Sequence, residues 1–324
     1  MGERVNIAAI AEVISGDLFS KFGWENHGAP NESWHCDTPE HAKKDHPTDV
    51  NFVYRDPYTD RNVHLITDLK SYAASSVNTL NLADAIRSLA LAVDCAPTNP
   101  SWRDLYLKSG ADFEVQGLLF VYNHDREFDR SFPQLLEAAF QEEIRLPRKV
   151  RLTIIGPDDV WHLYEIINDM ANLMSDGAIP PRKDLSYFYH SHARNKLVRS
   201  SKTSVATIDV LKGKYQLVTY TVAKGRASQR GMLMYYRGPG KEVREFIVLI
   251  DMLRAFGALD DYDEISVRCT RAVSVAPTNF KKAISAYAEL PSHQDLPENL
   301  KKLKYASVPS VRPRVTQFEI ALRS

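Results

Sequence analysis

Apolar positions near the start of the chain recur with a helical period, and further on they form short, nearly continuous apolar runs. The first pattern predicts a helix over residues 5–22 that Gly23 ends. Its apolar positions are Ile7, Ile10, Ile14, Leu18 and Phe22. Runs at 49–55 and 62–70 predict two strands joined by a turn at 56–60. Residues 23–47 are rich in His, Asn, Pro and charge, which predicts a loop.

Helical and strand-like patterns then alternate up to about residue 175. The predicted elements are a helix at 78–94, a strand at 115–122, a helix at 132–144, a strand at 150–155 and a helix at 158–175. This order is typical of an α/β sheet covered by helices.

The pattern changes after Gly177-Ala178-Ile179-Pro180-Pro181, which predicts a boundary between two domains, 1–178 and 179–324. Beyond it the predicted elements are strands at 203–211, 215–223 and 231–237, a helix at 241–257, a strand at 264–272 and a Lys- and Pro-rich tail at 291–316. We expect a smaller α+β domain. The tetrapeptide Ala-Pro-Thr-Asn at 96–99 and at 276–279 predicts two helix starts, with Thr or Asn as the cap.

Charge is distributed unevenly between these halves, although the whole chain has 41 Lys+Arg and 41 Asp+Glu. Residues 179–324 contain 25 basic and 13 acidic residues, a net charge of +12, which leaves 16 and 28, a net charge of −12, for residues 1–178. A basic half beside an acidic half predicts that the second half holds a polyanion.

The strongest basic bias lies between residues 194 and 230, where Asp209 is the single acid. The nine basic residues are Arg194, Lys196, Arg199, Lys202, Lys212, Lys214, Lys224, Arg226 and Arg230. Tyrosines lie within and just before this run, and aromatic side chains beside cations can stack bases while the cations hold phosphates. We therefore favour nucleic-acid binding over an ordinary solvated face.

The composition of the chain limits the cellular locations and the kinds of activity that we expect. The chain has no apolar run of membrane-spanning length and no signal peptide, so we expect a cytoplasmic protein without a membrane partner. Three widely separated cysteines fit a reduced compartment. Since the phosphate-loop pattern G-x-x-x-x-G-K-[ST] does not occur, any ATP-driven step would need a partner protein.

Two carboxylates and a lysine stand where the predicted hairpin would bring them together. Asp49 opens the first strand, and Asp68-Leu69-Lys70 closes the second, nineteen positions after Asp49. In adjacent antiparallel strands the carboxylates can lie side by side and hold a divalent cation, with Lys70 on the same face as Asp68. Mg²⁺ bound there would neutralise a phosphodiester and acidify a water, and the lysine would stabilise charge on phosphorus.

This arrangement resembles the PD-(D/E)XK nuclease superfamily, with Thr48 where the family often has Pro and Pro47 one place earlier. The resemblance covers the first half of the chain and implies a restriction-endonuclease-like mixed sheet flanked by helices. It implies an endonuclease that depends on Mg²⁺ or Mn²⁺, with DNA favoured over RNA. Asp49 and Asp68 would be metal ligands, Lys70 catalytic, and Glu12 of the first helix a third carboxylate. A role as effector of a bacterial defence or restriction system follows by analogy.

Several alternatives stay open. The Asp–Lys pair could be a solvated strand end, and Glu12 an exposed helix residue. The protein could be a non-catalytic nucleic-acid-binding or scaffold subunit with a nuclease-like fold, or a nuclease that a ligand switches on through a C-terminal sensor domain. The second domain could also form a homodimer or bind a partner that supplies sensing or ATPase activity.

A group of His and Cys residues precedes Asp49: His35, Cys36, His41 and His46. A zinc site needs four such ligands in fixed spacing, and one cysteine among scattered histidines is a weak case for it. We expect instead a loop over the active site, with His46 as a candidate substrate contact.

Overall fold

The structure, a computed structural model, describes residues 2–108, 112–142, 144, 146–190, 202–225, 227–289 and 297–310. The chain divides into two compact units between Trp161 and His162. Each unit has its own sheet and its own hydrophobic core.

Unit 1 is built on a five-stranded mixed sheet. The strands of the whole unit are β1 (Glu25–Asn26), β2 (Glu32–His35), β3 (Asp45–Thr48), β4 (Val50–Arg55), β5 (Asn62–Tyr72), β6 (Phe113–Asn123) and β7 (Leu152–Ile155). The sheet order is β1-β4-β5-β6-β7, with antiparallel pairs on the β4 side of β5 and parallel pairs on the β6 side. Strands β2 and β3 form a separate hairpin. The predicted mixed α/β fold is confirmed.

Helices cover both faces of this sheet. They are α1 (Gly2–Lys21), α2 (Thr79–Cys95), α3 (Pro100–Tyr106), α4 (Phe132–Phe140) and the start of α5 (Pro157–Ser175). Phe19 of α1 packs against Phe52 and Phe120, which marks one face. Helix α2 packs on the other face, where Leu89 and Val93 lie close to Gly117 of β6. The parallel pairs need helical crossovers, which α2 and α4 supply.

The division between the units falls inside α5, earlier in the chain than the predicted boundary after residue 178. The second part of α5 bonds to residues of unit 2. Asp169 accepts hydrogen bonds from the Tyr235 hydroxyl at 2.7 Å and from Arg268 Nε at 2.5 Å. These buried contacts hold the part of α5 that follows His162 within unit 2.

Unit 2 has a six-stranded mixed sheet of order β13-β12-β11-β10-β8-β9. Its strands are β8 (Ser186–Phe188), β9 (Lys202–Thr203), β10 (Tyr215–Lys224), β11 (Ala227–Tyr236), β12 (Glu264–Cys269) and β13 (Leu303–Ser307). Its helices are α6 (Ile208–Lys212), α7 (Val243–Ala255), α8 (Ala258–Asp261), α9 (Ala276–Ala288) and α10 (Pro297–Leu300). Met232, Met234 and Val267 form a core with α7 and α9.

Two local predictions are wrong for identifiable reasons. The run 203–211 is mostly not a strand, because Thr207 caps α6 by accepting from Val210 N–H at 3.4 Å. Asn279 does not cap α9, which begins earlier, at Ala276. The other Ala-Pro-Thr-Asn segment behaves as predicted, since the Asn99 side chain accepts from Trp102 N–H and starts α3.

Within the described residues we find no helix whose length and apolar character would let it span a membrane.

Candidate active site

The pairing of β4 with β5 places Asp49 beside Asp68. Val50 is the partner of Thr67, and the Asp49 N–H continues this ladder by donating to the Thr67 carbonyl at 3.2 Å. The Leu69 N–H donates to Asp49 Oδ2 at 2.7 Å. The carboxyl group of Asp49 is thus held at the end of β5 by the backbone of the strand that carries Asp68 and Lys70.

Lys70 lies two residues after Asp68, on the same face of β5, and its Nζ is 2.5 Å from Asp68 Oδ1. Both side chains are partly enclosed, with 31% of Lys70 and 19% of Asp68 exposed. Burial opposes the charge on Lys70, but the neighbouring Asp68 and Asp49 outweigh it and raise the pKa of the ammonium group. Lys70 is therefore held as a cation inside the site.

The carboxyl group of Asp49 has a raised pKa. Burial, opposed by the hydrogen bond from Leu69 N–H and reinforced by the adjacent negative charge of Asp68, raises the pKa of Asp49 to about 6. Both carboxyl groups line the same cleft. Two carboxylates this close favour a shared proton or a cation between them, and hard divalent cations prefer such oxygen donors. The donor set fits Mg²⁺ or Mn²⁺.

These three residues line a cleft of about 300 Å³ between the end of β5 and helix α2. The α2 wall presents side chains at helical spacing, which puts them on one face. The residues that line the cleft are Pro47, Asp49, Asp68, Lys70, Tyr72, Asn81, Asp84, Ala85, Ser88 and Leu89.

Sequence reasoning missed the polar wall of α2. Asp84 is exposed and its Oδ1 accepts from Arg87 Nη1 at 2.7 Å, while Asn81 Nδ2 donates to the Ser76 carbonyl at 2.8 Å. The spacing of Asn81, Asp84 and Ser88 marks one polar side of an otherwise apolar helix, and that signal was available in the sequence.

Glu12 lies elsewhere. It lines a second depression together with Val50 and Phe52. Phe52 lies on the face of the sheet that α1 covers. Asp68 and Lys70 are on the face that α2 covers. Asn31 links the two regions, because its Nδ2 donates to Glu12 Oε2 at 3.5 Å and its N–H donates to the Asp49 carbonyl at 2.8 Å. A role for Glu12 as third metal ligand stays a prediction.

The residues before Asp49 are ordered by the β2–β3 hairpin. Trp34 Nε1 donates to Thr48 Oγ1 at 3.0 Å, so the residue in the family's Pro position is a buried, hydrogen-bonded threonine. Pro47 lines the cleft. The segment expected to be a loop over the active site therefore includes two short strands.

His46 is fully buried against Trp34, with ring centroids 4.8 Å apart, so the suggested contact between His46 and substrate is wrong in this structure.

The basic run of the second half is only partly described. Arg194, Lys196, Arg199 and Arg226 lie outside the described residues, and Lys202 and Lys224 are described by their backbone alone. The side chains of Lys212, Lys214 and Arg230 are exposed. Lys214 precedes β10 and Lys224 ends it, so nine residues of extended strand separate these two positions, which lie roughly 30 Å apart. The basic positions therefore follow the length of the β10–β11 hairpin.

Comparison with known proteins matches residues 1–159 to a family model described as the GAPS4 protein PD-(D/E)XK nuclease domain. The match ends in α5, close to the division between the two units. No curated protein and no solved structure gives a significant match to the chain.

Proposed function

Because residues 1–159 belong to the PD-(D/E)XK nuclease superfamily, as the resemblance predicted, we propose that the cleft of unit 1 hydrolyses phosphodiester bonds of nucleic acid with the help of a divalent metal ion. The observation that carries the proposal is the contact of three groups in one cleft. Asp49 and Asp68 have adjacent carboxyls, and the ammonium group of Lys70 lies 2.5 Å from Asp68.

In this proposal Asp49 and Asp68 would hold Mg²⁺ or Mn²⁺. Such an ion, when bound, neutralises phosphate charge and acidifies a water molecule. The Leu69 N–H keeps Asp49 in place, and a proton that Asp49 binds below about pH 6 would have to leave before the carboxylate could hold the cation. Lys70 donates hydrogen bonds to the phosphate oxygens on which charge develops. Asn81 and Tyr72 line the same cleft, where they can contact the sugar–phosphate chain.

The substrate is proposed to be DNA, held in part by the basic run of unit 2. The acidic cleft repels a polyanion, so a basic surface elsewhere on the chain would supply the attraction. A role as effector of a bacterial defence or restriction system, working with a partner protein, stays a prediction.

The test is to incubate purified protein with plasmid, linear duplex, single-stranded DNA and RNA, with and without Mg²⁺ or Mn²⁺ and with a chelator as control. The proposal predicts cleavage of DNA that requires the metal. Binding of DNA without any metal-stimulated cleavage would contradict it and would favour a non-catalytic scaffold. Cleavage that starts only when a small ligand is added would favour the ligand-activated nuclease.

A further inference from the structure

Four side chains that can bind a soft metal meet away from the cleft's carboxylates. They are Cys36, which follows β2, His41 of the short 3₁₀ helix Pro39–His41, His46 of β3 and Cys95 at the end of α2. One ligand atom from each lies within 4.8 Å of all the others. The Cys36 Sγ to His41 Nδ1 distance is 3.6 Å. In a tetrahedral zinc site, bond lengths of about 2.0–2.3 Å put neighbouring ligand atoms roughly 3.3–3.8 Å apart.

The side chains of all four cluster residues are buried. His46 is fully buried, Cys95 and Cys36 are 2% and 8% exposed, and the side chain of His41 is 5% exposed. Both ring nitrogens of His46 are buried without a hydrogen-bond partner. A buried polar atom without a partner costs free energy, and coordination of a metal by one of these nitrogens would remove part of that cost.

The surroundings of the cluster resemble those of a metal centre. His41 Nδ1 faces the cluster, while its Nε2 lies 3.1 Å from Asp94 Oδ2. A carboxylate on the far nitrogen of a histidine is the common way in which proteins orient a metal ligand. Cys95 Sγ accepts from Thr38 Oγ1 at 3.6 Å and from Asn99 Nδ2 at 3.8 Å, and these donors would stabilise a thiolate.

We propose that Cys36, His41, His46 and Cys95 bind one structural Zn²⁺ ion. Two sulfur and two imidazole donors suit Zn²⁺ and not Mg²⁺, and four protein ligands leave no position for a substrate. Binding releases the two thiol protons to solvent, so the two thiolates balance the charge of the ion. The ion would join the β2–β3 hairpin, which leads into Asp49, to helix α2, which forms the opposite wall of the cleft. The inference needs no catalytic activity and is independent of the proposed function.

Sequence reasoning found three of these residues but missed the fourth. Cys95 is 59 positions after Cys36, and only the packing of α2 against the hairpin brings them together. His35, which the sequence grouped with them, points away: its side chain is 63% exposed and its Nδ1 lies 3.8 Å from Asp45.

The first test is the metal content of the purified full-length protein after treatment with a weak chelator. The proposal predicts about one zinc ion per chain, measured by inductively coupled plasma mass spectrometry. Cys95→Ser and His46→Ala should each lose most of it. Cys269→Ala changes the buried cysteine of unit 2, and His35→Ala changes the exposed neighbour; both should retain the zinc.

A second measurement does not depend on whether the variants fold. Wild-type protein prepared with Co²⁺ in place of zinc should show the intense visible bands of a tetrahedral site and a sulfur-to-cobalt charge-transfer band. Zinc release, followed with a chromogenic chelator, should accompany modification of the thiols. Wild-type protein that holds no zinc, gives no sulfur–cobalt band or contains a Cys36–Cys95 disulfide would overturn the proposal.

Discussion

His64 is a buried, neutral histidine on the same strand as the site. Burial and the neighbouring His27 lower the pKa of His64 to about 4, and its Nδ1 accepts a hydrogen bond from Asn51 Nδ2 at 3.1 Å. In the unfolded chain the pKa returns to about 6.5, so protons bind the unfolded state first. The stability that this histidine contributes is fully present above pH 6.5 and is lost as the pH falls from about 6.5 towards about 4.

We therefore predict that His64→Gln flattens the fall in the free energy of unfolding over this range. The difference between pH 7 and pH 4 should shrink by at most about 3 kcal/mol, since each pKa unit corresponds to about 1.4 kcal/mol. Denaturant unfolding at several pH values measures it. His35→Gln, at an exposed site, is the control. An unchanged slope in His64→Gln would show that His64 is not buried in its neutral form.

Single residues were predictable from sequence where short-range pairing decides their position. Asp49, Asp68 and Lys70 meet because a hairpin fixes the register of two adjacent strands. Cys95 and Glu12 could not be placed, because their positions depend on which face of the sheet each helix covers. That choice is made by core packing across the sheet.

At the level of elements, helix α2 and strand β7 pack closely against β6 at Gly117. A Cβ atom at Gly117 would lie 2.4 Å from Leu152 Cδ2 and 2.9 Å from Val93 Cγ2, closer than atoms can pack. Glycine here permits the close approach of the helix to the sheet.

Gly117→Ala should accordingly lower the free energy of unfolding by about 1–3 kcal/mol, because the extra methyl group overpacks the interface. Gly16→Ala is the matched comparison, since nothing lies within 4 Å of a Cβ atom there and the residue is inside α1. It should raise stability by about 0.5–1 kcal/mol. Urea unfolding of both variants distinguishes packing from backbone entropy. Equal effects would mean that the β6–α2 contact is looser than described.

The long elements of the first half were predictable because their apolar patterns are long and periodic: α2, β5 and β6 begin and end within two or three residues of the prediction. The short strands β1, β2 and β3 were missed. Two to four residues carry too little periodicity, and their pairing comes from tertiary contacts such as Trp34 with Thr48.

At the scale of the whole molecule, the charge difference between the halves fits the proposal that the acidic half hydrolyses DNA and the basic half binds it. Neutralising Lys212, Lys214, Lys224 and Arg226 together should weaken binding to all DNA sequences about equally. Each lost phosphate contact should flatten the slope of log affinity against log salt by roughly 0.9.

Binding titrations at several salt concentrations test this prediction. The matched control neutralises four basic residues of unit 2 outside the run, Lys241, Lys281, Lys282 and Lys301, all of which are exposed. Equal losses in both quadruple variants would point to net charge alone. An unaltered salt slope in the first variant would assign the basic run to a protein partner instead.

The most direct test of phosphodiester hydrolysis in the cleft of unit 1 compares the cleavage rates of Asp68→Ala and Lys70→Ala with that of Lys304→Ala. Lys304 pairs with Glu264 at 2.5 Å, the same separation as Lys70 and Asp68, but lies in unit 2. With saturating Mg²⁺ and one defined DNA substrate, both cleft variants should lose at least about 100-fold in rate while they unfold at the wild-type temperature. Lys304→Ala should cut at the wild-type rate. Cleft variants that cleave as fast as wild type would show that this cleft is not the site of hydrolysis.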